Sequence, residues 1–300
     1  MPGILVPTMP KTIPCAMCGG ADYRLLHDMG WRRILRCAAC RLVRADPLPS
    51  LAEKLAIETR GYTEETAFPE VRDFFANCHR DYVDDPVIRG MRRHLANLEA
   101  RLGRPGALLD VGAGTGVFMH LARERGWDPS GVDICPLTAE KAESEFGLRI
   151  IVGPFEQHHF DGRRFDAVTM LDVLEHVHDP LAALKQAHSL LRPGGAVCIA
   201  VPNQRSLLTF VVDAYARAKG PWSRMLLSRL YVAPHLHYFT PRTIRRMVAA
   251  AGFRLAELRQ GSVYLGRYRL RLWMRVPLEM FLAAGALVRM NARIGVIAVK

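Results

Sequence analysis

The chain has 300 residues, half of them apolar, and a formal charge of +12. That length buries a doubly wound core of about 150 to 200 residues and leaves room for an accessory piece at either end. No run reaches the roughly eighteen apolar residues of a membrane span, because "VPLEMFLAAGALV" stops at 13 and contains a Glu; the start "MPGILVPTMPK" lacks a signal peptide's charged opening and cleavage site, so a cytoplasmic protein is expected.

The first predicted element is a small metal module over residues 1–46. Cys15-x2-Cys18 and Cys37-x2-Cys40, with 18 residues between the pairs, have the ligand spacing of a tetrahedral structural zinc site. A tight turn at each pair, which Gly19 and Gly20 suit after the first, sets two thiolates about 2.3 Å from the metal, and four thiolates close its coordination shell. A module this small has too little core to fold without such a staple. Cys78, Cys135 and Cys198 are single and are expected as buried reduced thiols. Residues 47–85 read as a helical linker or cap in which Tyr62 and Tyr82 are candidates to roof a ligand. "DPVIRGMRRHLANLEARLG" then has the helical spacing to pack beside the first strand of a larger domain over residues 86–300.

That domain opens with "LLDVGAGTGVFMHLARERG", a buried strand, a glycine turn and a helix. Such a turn is expected to present free backbone N–H groups to its ligand. A phosphate loop needs a Lys and a hydroxyl that are absent, and a dinucleotide fingerprint would place its third Gly where Val117 stands. Asp110, two residues ahead of Gly112, suits a cation rather than a pyrophosphate, and S-adenosylmethionine carries an ammonium and a sulfonium. In "WDPSGVDI", Asp133 falls about twenty residues past the glycines, where an acidic side chain at a strand end accepts ribose hydroxyls.

"RFDAVTMLDVLEHVHDPLAALKQAHSLLRPGGAVCIAVPN" continues with a strand, a loop, a helix from about Pro180 to Leu191, a Gly194-Gly195 turn and another apolar strand. Together with "LLDVGAGTG" and "VDI", this resembles a class I S-adenosylmethionine-dependent methyltransferase, and "LDVLEHVHDP" and "LLRPGG" are similar to the subgroup that includes ubiquinone-biosynthesis O-methyltransferases. The resemblance covers about residues 86 to 260 and implies an α/β, doubly wound, Rossmann-like sheet of seven strands. By that resemblance Asp110, Gly112, Gly114 and Gly116 hold the methionine end of the cofactor, Asp133 its ribose, and Ile134 packs on the adenine. Leu171 at the end of the fourth strand joins the cofactor set. Relatives often carry Gly-Asp after the third strand; here "GPFEQ" leaves Gly153 and Pro154 with no carboxylate, and Phe155 or its backbone is the candidate for adenine.

Residues 204–240 read as a lid insertion, ending in "HLHYF". Methyl transfer asks the protein to position an acceptor and to remove its proton, and the candidate bases are His235 and His237 beside Glu175 and His176. On an extended strand the two histidines would share a face with Leu236 turned inward, and His237 is favoured because Tyr238 and Phe239 fix its loop. Relatives of the ubiquinone type hold a divalent metal at this spacing, so Asp172, Glu175 and His176 form a lesser alternative metal site. A zinc ribbon ahead of such a domain is also similar to sugar C-methyltransferases, which leaves O- and C-methylation open.

The charge admits nucleic acid as a partner, and an RNA-modifying methyltransferase is the first rival; a non-catalytic cofactor-binding scaffold is the second. Against RNA, no basic run is interleaved with stacking aromatics. The basic, apolar texture of residues 204–234 and of "LGRYRLRLWMRVPLEMFLAAG" suits a lipid-tailed acceptor or peripheral contact with an anionic membrane. A small-molecule acceptor is the expected partner.

Overall fold

The computed structural model describes residues 13–63, 86–262 and 271–300. Cys78, Tyr82 and the side chain of Tyr62 lie outside the described residues. The chain opens with three antiparallel strands, β1 (Tyr23–Asp28), β2 (Arg33–Cys37) and β3 (Val43–Asp46). Helix α1 (Leu51–Thr63) follows, and then α2 (Pro86–Leu102), whose Leu95 and Leu98 are fully buried against strands of the main sheet.

Strand and helix then alternate. β4 (Ala107–Val111), α3 (Val117–Glu124), β5 (Asp128–Asp133), α4 (Pro136–Phe146), β6 (Ile150–Val152), β7 (Phe165–Leu171), α5 (Pro180–Leu190) and β8 (Leu191–Pro202) supply five parallel strands. Near-continuous apolar runs such as "FDAVTML" are what strands covered on both faces require. The Gly194-Gly195 turn is absorbed into β8 as an irregularity, since the pairing with β7 jumps from Phe165↔Leu191 to Ala167↔Ala196. The insertion contains α6 (Leu207–Arg217), α7 (Ser223–Leu230) and the two-residue strand β9 (His237–Tyr238). α8 (Pro241–Ala250), β10 (Arg254–Gly261), α9 (Leu272–Leu287) and β11 (Arg293–Val299) complete the order. The seven-stranded sheet runs β10-β11-β8-β7-β4-β5-β6, with β11 antiparallel to both of its neighbours. Its reversal point lies at β4, where open α/β sheets place their ligands.

The ribbon and the insertion are built together. β3 pairs with β9, Val43 opposite Tyr238 and Arg44 opposite His237, so the smaller sheet reads β1-β2-β3-β9. Met29, Ile34, Val43 and Ala45 share one apolar cluster with Val212, Leu227, Tyr231 and Tyr238. Inside this junction His27 Nε2 lies 2.8 Å from Asp213 Oδ1, and the Tyr231 hydroxyl donates to the same oxygen at 3.0 Å. Arg32, 4% exposed, donates to the carbonyls of Val232 and His235. Residue 46 therefore divides the sequence without dividing the packing, because ribbon and insertion have one core.

Asp213 tests that unity. Asp213→Ala removes the acceptor of two buried donors and should lower the unfolding free energy by about 1.5–3 kcal/mol. Amide exchange should then speed up in both Tyr23–Asp28 and Leu207–Arg217; acceleration confined to α6 would show that the two pieces are independent.

Candidate active site and zinc site

The four paired cysteines converge. Cys15 Sγ is 3.4 Å from Cys40 Sγ, Cys18 Sγ is 3.6 Å from Cys37 Sγ, and all four sulfurs lie within 4.8 Å of one another. A tetrahedron with arms of about 2.3 Å has edges of about 3.8 Å, so the thiols fit a structural zinc with no open coordination position. The first pair turns tightly, with the Gly19 N–H bonded to the Cys15 carbonyl at 2.8 Å and Gly19 left-handed at φ +70°.

The glycine turn after β4 differs from the expectation of free N–H groups. Gly112 and Ala113 both donate to the Val132 carbonyl, Gly114 to Asp133 Oδ2 at 2.7 Å, and Gly116 to the Ala113 carbonyl. A turn whose donors are already engaged is a poor cradle for phosphate. Gly112 is required on two counts: its φ is +72°, and a Cβ there would lie 2.3 Å from Val173 Cγ2. That contact brings the loop after β7 directly onto the turn.

Beside the turn, Asp110 is 3% exposed and accepts a hydrogen bond from Thr169 Oγ1 at 2.6 Å. Burial pushes its carboxyl up to about 7, and the nearby Asp133 adds to the rise. A carboxylate desolvated in this way is stabilised by a cationic ligand, and the residues present fit the ammonium and sulfonium of S-adenosylmethionine. Thr169 was missed in the sequence, where a hydroxyl in an otherwise apolar strand was the available signal.

Asp133 is buried and heavily engaged, since besides Gly114 it accepts from the Cys135 N–H at 2.9 Å and Thr138 Oγ1 at 3.2 Å. Ile134 is half-buried beside it, and Leu171 is half-buried against the cluster that holds α2. Of the two routes to an adenine that Phe155 offers, its ring and its backbone, the ring is turned into the core. Its side chain is 4% exposed and packs on Phe160 with ring centroids 6.0 Å apart, while its carbonyl accepts from Gln186 Nε2. The short 3₁₀ turn at Phe155–Gln157 tucks the ring into the core.

The candidate bases separate. Glu175, 1% exposed, has no hydrogen-bond partner at either carboxylate oxygen, and its ligand atoms lie within 4.8 Å of those of His176 and His235. Burial pushes Glu175 up to about 7, helped by the Asp172 charge and opposed by His176. Burial, with His176 and Arg32 close by, holds His235 well below the usual imidazole range. The rings of His176 and His235 meet edge to face with centroids 4.9 Å apart. His237 belongs to another environment: Nε2 is 3.1 Å from the His178 carbonyl, and burial lowers it to about 4. The expected shared face fails because β9 begins at His237, leaving His235 in the preceding loop. The trio Asp172, Glu175 and His176 is also not what assembles, because Asp172, left-handed at φ +60°, pairs with Arg293 and His235 takes its place in the cluster.

A family model described as a methyltransferase domain matches residues 83–258. The chain belongs to that family. It is a class I S-adenosylmethionine-dependent methyltransferase. Over 190 residues it is 27% identical to a ubiquinone biosynthesis O-methyltransferase of Azorhizobium caulinodans, covering 59% of this chain and 69% of that one. A protein of the same description from Psychrobacter cryohalolentis is 31% identical over 157 residues, 47% of this chain and 61% of its own. Across such relatives the methyltransferase spans between 47% and 69% of their length. Two solved structures share the fold. One is the Burkholderia thailandensis 1,6-didemethyltoxoflavin-N1-methyltransferase with bound 1,6-didemethyltoxoflavin and S-adenosylhomocysteine, at TM-score 0.51 and 22% identity, covering 93% of this chain and 99% of the other. The other is the magnesium protoporphyrin IX methyltransferase of Synechocystis, at TM-score 0.54 and 17% identity, covering 82% and 99%.

Two measurements follow from this geometry. Burial holds the Asp110 carboxyl near 7, so a cofactor cation set against it should release its proton. Affinity measured by calorimetry should rise about tenfold per pH unit below 7 and level off above it, and Asp110→Asn should flatten the profile. For the cofactor-free protein the sign is opposite: a carboxyl raised from 3.8 to about 7 favours folding at low pH, and that contribution is lost as pH climbs through 7. Metal analysis should find about one zinc per chain, and Cys37→Ser should lose it. Because β3 carries β9, exchange should then accelerate over residues 232–239 as well as in the ribbon, while cofactor affinity stays within about twofold.

Proposed function

We propose that the methyltransferase methylates a small acceptor at an acidic O–H or C–H, with Glu175 and His235 taking the acceptor's proton. Bound S-adenosylmethionine supplies an activated methyl group. The chain's own residues do the rest: Asp110 balances the cofactor's positive charge, Asp133 offers its remaining lone pairs to the ribose, and the loop of Val173 closes over Gly112. The carrying observation is a buried carboxylate with neither oxygen bonded, set among two imidazoles. Such a cluster titrates as a unit, and a group poised near 7 is well matched to accept a proton at neutral pH.

The ubiquinone-biosynthesis relatives support O-methylation of a lipid-like phenol or catechol over methylation of a sugar carbon. The reduced, closely spaced thiols of the ribbon accord with a cytoplasmic setting. His237 supports the fold of this site, since its ring bonds backbone and its strand joins ribbon to insertion.

With an alkyl-tailed catechol as acceptor, release of S-adenosylhomocysteine should rise with pH through about 7. Glu175→Gln should lower kcat by about 10²–10⁴-fold and remove that limb, with cofactor affinity within about twofold. His237→Gln should keep the limb while lowering the melting temperature. A neutral Glu175→Gln sinks the assignment, as does turnover abolished by EDTA and restored by a divalent ion.

A further inference from the structure

Helix α6 leaves large apolar side chains on its outward face as well as burying one inward. Its inward face carries Thr209, Val212 and Asp213, with Asp213 fixed by His27 and Tyr231, and its outward face carries Leu208, Phe210 and Val211. α9 lies alongside, with Gly285 so close to α6 that a Cβ would come 3.3 Å from Leu207 Cβ. Apart from Arg275 and Glu279, which pair at 2.7 Å, α9 has no charged residue. A helix apolar all round belongs inside a core or in lipid. Yet Leu272 is 74% exposed, Trp273 69%, Met280 68% and Leu287 87%, and Phe210 and Trp222 on the neighbouring elements are 58% and 65%.

The charges around this face have one sign. Arg205, Lys219 and Arg224 are exposed along the α6–α7 side and Arg271 and Arg289 at the two ends of α9. The acidic groups in the same segments are spent, Asp213 inside the junction and Glu279 on Arg275. No helix among the described residues is long and apolar enough to cross a membrane. An apolar face ringed by cations, with two indoles at its margin, suits the boundary between headgroups and acyl chains.

We propose that α6, α7 and α9 form a docking surface for an anionic lipid bilayer. A second copy of this chain would set two cationic rims against each other, whereas acidic headgroups neutralise the rim and acyl chains cover Phe210, Trp273 and Met280. None of the residues on this surface belongs to the Glu175, His176 and His235 cluster, so its test is independent of the methyl-transfer chemistry.

The full chain, mixed with vesicles of phosphatidylcholine containing phosphatidylglycerol, should co-float with them, and should not do so with phosphatidylcholine alone. Added salt should release it. Phe210→Ser combined with Trp273→Ser should weaken association by about tenfold or more, and Arg224→Gln by about fivefold. Both variants should keep wild-type S-adenosylmethionine affinity and melting temperature, which separates a lost surface from a lost fold. Failure to float with the anionic vesicles overturns the proposal, as does flotation unchanged in the double variant. A dimer in solution that Trp273→Ser dissociates would assign the face to a second copy instead.

Discussion

Everything near the candidate bases depends on how residues 232–239 are held. Their backbone is gripped from two sides. From the ribbon, Arg32 bonds the Val232 and His235 carbonyls and the Ala45 N–H bonds the Leu236 carbonyl. From the main domain, the Glu175 carbonyl accepts from both Leu236 and His237. His235 meets His176 because these bonds leave its loop nowhere else to lie. The ribbon has little core of its own, so a zinc held by its four cysteines would stiffen the loop that carries His235.

Three buried carboxyls differ in how far the protein satisfies them. Asp133 accepts from two N–H groups and a hydroxyl, Asp110 accepts the Thr169 hydroxyl, and the Glu175 oxygens have no hydrogen-bond partner. Under the proposed function this gradient sorts their work. A well-bonded carboxylate is a fixed scaffold for the turn and the ribose. A buried one with a single hydroxyl draws in a cation, and an unbonded one near pH 7 trades protons.

What was legible in the sequence was local. Paired cysteines and glycines declare themselves by spacing, because turn geometry acts over a few residues. The order of strands followed from alternation of apolar runs with helices. Other features depend on distant pairing. His27 and Asp213 are 186 residues apart and no periodicity links them. The histidines of "HLHYF" misled because alternation applies only within a strand, and β9 starts at the second of them. The burial of the Phe155 ring was not legible, because it follows from a 3₁₀ turn that directs the ring into the core.

The junction also limits how the insertion can act. A lid that swung open on α6 would part Asp213 from His27 and expose Val212 and Leu227, at a cost of several kcal/mol in hydrogen bonding and burial together. α6 is therefore a fixed wall, joined to the ribbon by Val212 and Asp213 and apolar where it meets solvent. Its outward residues contribute nothing to that attachment, so the fold alone gives no reason for Leu208, Phe210 and Val211 to be apolar. The reason has to lie in what this wall faces.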